Sequence, residues 1–220
     1  MFKSKTRKII FPQSEHGRLA GIIAQLYGNS DFQKPNIDFY AFTLGVALHD
    51  LGFGYFDTYA IREMNQETRL LSFKQLVEQQ LPDHVSDTVA AYHVLRLLGT
   101  DKSYKQLKIP CKQKIERGVA KTGINHQKFN WADRITDLCD SIAFDFCFQK
   151  PTSGKTQVYA SHKNSVKTTI HYQFNNKQEI ILNPWPFKIL EYESFIYAYR
   201  QDGYPNILKP VMVPFTFKKK

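Results

Sequence analysis

His49 and Asp50 stand side by side where an apolar stretch ends, and an adjacent imidazole and carboxylate can grip a divalent cation from neighbouring directions. On a helix such neighbours point roughly 100° apart, so an ion must sit near their shared edge and take its other ligands from elsewhere. Three more ionisable residues fall among inward-facing neighbours. His16 shares a helical face with Leu19, Ala20, Ile23 and Leu26; His93 lies with Val89, Ala90 and Leu97; Asp140 lies near Thr136, Ala143 and Cys147. An unpaired buried carboxylate is costly, and a cation that takes neutral imidazole nitrogen and carboxylate oxygen removes that cost. His16, His49, Asp50 and Asp140 together make a four-residue metal site with positions left for water. The intervals are 33 residues between the histidines and 90 between the aspartates. Asp137 and Asp133 lie three and seven residues before Asp140 and compete for its place. His84 is a weaker candidate on the helix of His93, while His126, His162 and His171 read as loop or sheet surface. Asp57 can hydrogen-bond a ligating histidine and fix its tautomer. Arg18 and Arg134 are candidates to hold a phosphate, with a solvated side chain as the alternative.

The elements that must position these residues are mostly helical. Phe2 to Phe11 reads as a strand or an extended arm. Pro12-Gln13-Ser14 reads as a helix start with Ser14 as cap, and the helix runs from Glu15 to Tyr27 before Gly28 ends it. Asp38 caps a second helix that ends at His49, and its small residues, Gly45 among them, let another backbone approach closely. Gly52 and Gly54 then break it. Residues 53–71 look irregular, Ser72 to Gln80 is a short helix, and Asp83 caps another from His84 to Leu98. Residues 111–121 form a polar helix. Asn130 to Phe148 carries the longest buried stripe, through Trp131, Ile135, Leu138, Ile142 and Phe146. Beyond Pro151–Gly154 the period changes. Thr168–Phe174 alternates, Asn175-Asn176 turns, and Glu179–Leu182 returns as a hairpin. Phe195–Tyr199 and Val211–Phe217 are further strands. The pattern predicts a mainly α fold: five to seven helices over 1–150 holding the metal site, then a small antiparallel β segment over 151–220 packed on them.

Composition narrows the class. The 220 residues are 42% hydrophobic, enough for an ordinary core. No apolar run reaches the length of a membrane span, and Ile9-Ile10-Phe11 is too short for a signal peptide, so a cytoplasmic protein is expected. Cys111, Cys139 and Cys147 are odd in number and lack a paired spacing, which argues against a disulfide framework or a zinc knuckle. The net charge is +10, but Lys3, Lys5, Arg7, Lys8 and Lys218, Lys219, Lys220 supply seven of those charges. Read as solvated tails, they leave a normal balance for the rest, so nucleic acid is not expected as a specific partner. Trp185 between two prolines reads as a packing anchor.

The order His, His-Asp, Asp resembles the HD superfamily of metal-dependent phosphohydrolases. Longer stretches narrow the resemblance: Gln13-Ser-Glu-His16-Gly-Arg-Leu-Ala-Gly21, His49-Asp50-Leu-Gly-Phe-Gly-Tyr-Phe-Asp57, Tyr92-His93, Asp140-Ser-Ile-Ala143 and Asn183-Pro-Trp-Pro-Phe187 are similar to domain-of-unknown-function family 3891. The similarity implies an HD-like helical core with a C-terminal β segment and no established reaction. It implies that His16, His49, Asp50 and Asp140 are metal ligands and that His93 is a nearby helper or a ligand to a second metal. Phe53 stands where a tryptophan is expected after His-Asp-x-Gly, a departure that concerns packing.

The expected chemistry is hydrolysis of a phosphoester, on a nucleotide or small phosphomonoester, by a metal-activated water, with Asp50 and His93 as the catalytic side chains. The cofactor is a divalent metal: manganese, iron, cobalt, nickel, zinc or magnesium. No phosphate-cradling loop accompanies it, because Gly52-x-Gly54 lacks the lysine and the strand-turn-helix setting. Three rivals stay open: a non-catalytic binding scaffold, a di-iron oxygenase that would draw a further histidine from His84 or His93, and a nucleic-acid binder driven by the basic ends. The β segment could cover the site or make a homodimer contact.

Overall fold

Side-chain caps set several of the helix starts. The computed structural model describes residues 1–161 and 166–219. Asp38 accepts from the Ala41 amide at 2.8 Å, opening α2 (Phe39–Ala47). Asp83 accepts from the Val85 and Ser86 amides, opening α4 (His84–Leu98), and Asn125 accepts from Lys128, opening α6 (His126–Phe148). These groups satisfy amides that have no partner within the helix. The first helix, α1 (Gln13–Leu26), starts without a side-chain cap. Pro12 precedes it, and Ser14, the expected cap, lies exposed inside it. The segment expected to be irregular contains short 3-10 turns over Leu51–Phe56 and Ile61–Glu63, and α3 already begins at Gln66 and runs to Glu78. The polar helix α5 spans Lys105–Thr122.

The strands overturn the expected mainly α fold with a small antiparallel β segment. One seven-stranded sheet uses both ends of the chain: β1 (Phe2–Lys3), β2 (Ile9–Phe11), β3 (Ser153–Tyr159), β4 (Lys167–Phe174), β5 (Glu179–Asn183), β6 (Glu191–Arg200) and β7 (Pro210–Lys218). Its order is β1-β2-β6-β7-β5-β4-β3, antiparallel except for the parallel pair β5–β7, so the sheet is mixed. The fold is α+β with a substantial sheet. The first segment, read as a strand or an extended arm, forms two strands, β1 at the edge of the sheet and β2 inside it, with Ile9 opposite Arg200 and Ile10 opposite Tyr199. Two- and three-residue strands are too short to show an alternating pattern, and β2 is buried throughout. The expected hairpin is present as β4–β5, with Phe174 opposite Ile180.

The basic ends are correspondingly not loose tails. Lys3 lies in β1 and pairs with Glu63 at 2.8 Å, Arg7 donates to Gln149, and Lys218 ends β7; Lys220, like His162, lies outside the described residues. A continuous apolar core draws on both sides of residue 150, from Phe11, Ile23, Leu138 and Ile142 to Ile170, Ile196 and Phe215. Trp185 is buried against Phe187 and donates its indole hydrogen to the Ile189 carbonyl. Cys111, Cys139 and Cys147 are buried thiols. Among the described residues no helix is long and apolar enough to cross a membrane.

Candidate metal centre

Four elements meet at the centre. Helix α1 brings His16 inward on the face of Leu19, Ala20 and Ile23. Helix α2 ends just before His49 and Asp50, so the pair sits on the turn into the 3-10 segment and not on the helix itself. Helix α4 brings His93, and α6 brings Asp140. Gly45 allows α2 to lie on α4: a Cβ there would meet the Ser86 carbonyl oxygen at 2.8 Å.

The ligand atoms converge. His16 Nε2 lies 3.1 Å from Asp140 Oδ1, 3.3 Å from His49 Nε2 and 3.6 Å from Asp50 Oδ2. His49 Nε2 lies 3.4 Å from Asp140 Oδ1 and 3.5 Å from Asp50 Oδ2. One atom from each of the four residues lies within 4.8 Å of every other, a group that could hold a metal ion. An ion with bonds of about 2.1 Å sets neighbouring ligand atoms roughly 3.0–3.4 Å apart; the contacts among His16, His49 and Asp140, at 3.1, 3.3 and 3.4 Å, fall in that range, and Asp50 Oδ2 stands slightly farther out at 3.5 and 3.6 Å. The residues expected from the sequence are therefore brought together, and the competition along α6 is resolved. Asp137 and Asp133 turn to Arg96 and Arg134, and only Asp140 faces the histidines.

Each ligand is also held from behind. His49 Nδ1 donates to the Val46 carbonyl at 2.5 Å, which turns Nε2 toward the centre. Asp50 has both oxygens engaged: Gln13 Nε2 donates to Oδ2 at 2.6 Å, and His93 Nε2 lies 3.3 Å from Oδ1. Phe2 packs on the His16 ring with centroids 4.7 Å apart. The turn carrying His49 and Asp50 is clamped by Gln79, whose amide donates to the His49 carbonyl and accepts from the Gly52 amide. Arg96 joins three partners: Asp133 at 3.2 Å, Asp137 at 2.6 Å and His93 Nδ1 at 2.8 Å.

Burial and charge act against each other on these side chains. Burial pushes the His49 imidazolium down, but Asp50 and then Asp140 outweigh it and raise its pKa to about 9. Burial pushes Asp140 up, yet hydrogen bonds from His16 and His49 hold it well below the usual carboxylate range. Asp50 is lowered in the same way, by His49 and His93 against its burial. His93 is lowered by burial and by the His49 charge. The raised pKa of His49 thus reflects the two carboxylates that face it. The side chains of His16, His49 and His93 are fully buried, while Asp50 and Asp140 are 9% and 13% exposed, so solvent reaches the centre on its carboxylate side.

Other sequence candidates lie elsewhere. His84 is exposed at the far end of α4, about 13 Å along the axis from His93. His126 pairs with Tyr92 and Glu116 at the surface, and His171 is exposed on β4. Asp57 accepts from the Gln13 amide at 3.0 Å instead of from a histidine; the Val46 carbonyl plays that part for His49. Arg18 pairs with Glu15 and the Phe195 carbonyl, and Arg134 with Asp133 and Asp137. Sequence reasoning missed Gln13, Gln79 and Arg96. Only Arg96 left a signal, its place one helical turn after His93.

The helices and the mixed sheet thus define an α+β protein whose candidate site is a buried two-histidine, two-aspartate cluster able to hold a metal ion. The chain belongs to the family described as protein of unknown function (DUF3891), which matches residues 1–196. No curated protein and no solved structure matches it.

Proposed function

We propose that this protein is a metal-dependent hydrolase of phosphoesters, acting on a nucleotide or a small phosphomonoester. Two imidazole nitrogens and two carboxylate oxygens converge at the spacings of a coordination shell, and that convergence carries the reading. This donor set contains no thiolate and suits manganese, iron, cobalt, nickel, zinc or magnesium. When bound, the cation would supply a water of lowered pKa and a positive contact for a phosphoryl oxygen. The chain's own residues do the positioning. Val46 aims His49, and Gln13 and His93 fix both oxygens of Asp50. Among the described residues the open side runs past Asp50 and Asp140, so an anionic ester is repelled there until a cation offsets the two carboxylates.

The order of the ligands along the chain supports the likeness to HD phosphohydrolases. His84 stands too far off to add the extra histidine that a di-iron oxygenase needs, and His93, the other source, has its ring nitrogens turned to Asp50 and Arg96, which favours hydrolysis over that rival. The test is a screen of the metal-stripped protein reloaded singly with manganese, cobalt, nickel or magnesium, against p-nitrophenyl phosphate and a panel of nucleotides. Metal-dependent phosphate release, lost in the His49→Ala/Asp50→Ala double variant, is expected. No release with any of these cations across the panel would contradict the reading.

A further inference from the structure

Arg96 reaches the back of the centre. Its Nη2 lies 2.8 Å from His93 Nδ1, its Nη1 2.6 Å from Asp137 and its Nε 3.2 Å from Asp133. A guanidinium has donors and no acceptor, and it keeps its charge in proteins. The contact with His93 can therefore be a hydrogen bond only if Nδ1 offers a lone pair. The proton of a neutral imidazole then resides on Nε2, where Asp50 Oδ1 waits at 3.3 Å to accept it. Turning the ring over would set carbons against both Arg96 and Asp50 and strand two buried partners. The ring is fully buried, and the Asp140 carboxylate on the Nδ1 side lies 3.9 Å away, beyond hydrogen-bond reach.

We infer that Arg96 is a positioning residue that holds His93 as the Nε2–H tautomer, so that His93 serves the centre as a hydrogen-bond donor to Asp50 and not as a ligand. Both ring nitrogens are then engaged. The cluster takes one cation, through His16, His49, Asp50 and Asp140, and no second cation is held by His93. Asp133 and Asp137 in turn fix Arg96, which explains why two aspartates of α6 face away from the metal ligands while remaining close to them.

This inference rests on the metal reading for its stoichiometry but not for the tautomer, and the two can be read separately. Long-range nitrogen–proton NMR of the histidine-labelled, ion-free protein, with His93 assigned by His93→Gln, reports which nitrogen carries the proton. A bare Nδ1 and a protonated Nε2 are expected, and they should persist after zinc is added. Zinc titration should saturate at one equivalent. Arg96→Lys, which keeps a cationic donor, should keep the tautomer. Arg96→Met should shift His93 toward the Nδ1–H form or a mixture. If Arg96→Met does not fold, the wild-type spectrum and stoichiometry still decide. A protonated Nδ1 in the wild type, or a second equivalent of zinc lost in His93→Gln, would overturn the inference. Failure to bind any zinc, with the tautomer as expected, would instead count against the metal reading alone.

Discussion

Asp50 is the most constrained residue of the centre: one oxygen takes the Gln13 amide and faces His16 and His49, and the other faces His93. A carboxylate so fixed loses little freedom when an ion arrives, the usual advantage of ligands oriented from behind. Asp140 is the ligand most open to a clean comparison, because its neighbour Asp137 has the same chemistry and a different partner. Asp140→Asn should drop bound metal from one equivalent to below about a tenth, since orienting partners alone are worth tenfold or more in affinity. Asp137→Asn should keep the metal and cost about 1–2 kcal/mol of stability, for one charged hydrogen bond from Arg96. Elemental analysis and thermal melts of both variants check the pair. His49 gives the pH dependence. Its ion-free pKa is raised to about 9, so its pairing stabilises the ion-free fold fully below about 6.5 and is lost as pH rises through 9. A cation must displace that proton. Metal affinity should therefore rise about tenfold per pH unit between 7 and 9, with one proton released per metal in calorimetry repeated in two buffers. Binding with no proton release at pH 7 would contradict this assignment.

At the scale of elements, the caps Asp38 and Asp83 were legible in the sequence, and Ser14 was not a cap. Asp83 sits directly ahead of an apolar helical period, and its helix begins and ends where the pattern places it. His16, His49 and Asp140 were legible for a similar reason: each is ionisable in a position whose helical neighbours are apolar. Gln79 was not legible. A neutral amide just past a helix end carries no pattern, and its role arises only because α3 lies against the turn after His49. That approach is close: a Cβ on Gly52 would meet the Leu76 amide nitrogen at 2.6 Å, a backbone atom that has little room to move. Gln79→Ala should weaken metal binding through looser placement of His49 and Asp50 and destabilise the fold by about 1–3 kcal/mol, because the buried groups it serves lose their partner. Gly52→Ala should destabilise by a similar amount, about 1–3 kcal/mol, through overpacking. Denaturant unfolding and metal titration of the two variants check both effects; unchanged affinity in Gln79→Ala would show that the clamp is irrelevant to the centre.

For the whole molecule, the sheet is what local sequence could not announce. Ile9-Ile10-Phe11 has no alternation, and its partner strand lies some 190 residues away, at Tyr199 and Arg200. β3 was hidden differently: Ser153 and Gly154 read as punctuation between two patterns, and within the strand only Thr156 and Val158 turn inward. The sheet bears on the centre because β2 leads through Pro12 directly into α1, which carries Gln13 and His16. Ile10→Pro should therefore weaken metal binding as well as stability, since proline removes a ladder donor from a strand paired on both sides. Loss of stability with metal affinity intact would show that the sheet and the centre are independent.

The central claim is that His16, His49, Asp50 and Asp140 hold a divalent cation. Elemental analysis of the purified protein, after stripping and reloading with each candidate metal and gel filtration, tests it most directly. About one equivalent is expected in the wild type and essentially none in the His49→Ala/Asp50→Ala double variant, folded as judged by circular dichroism. A folded double variant that keeps its full metal content, or a wild type that retains none of the metals, would contradict it.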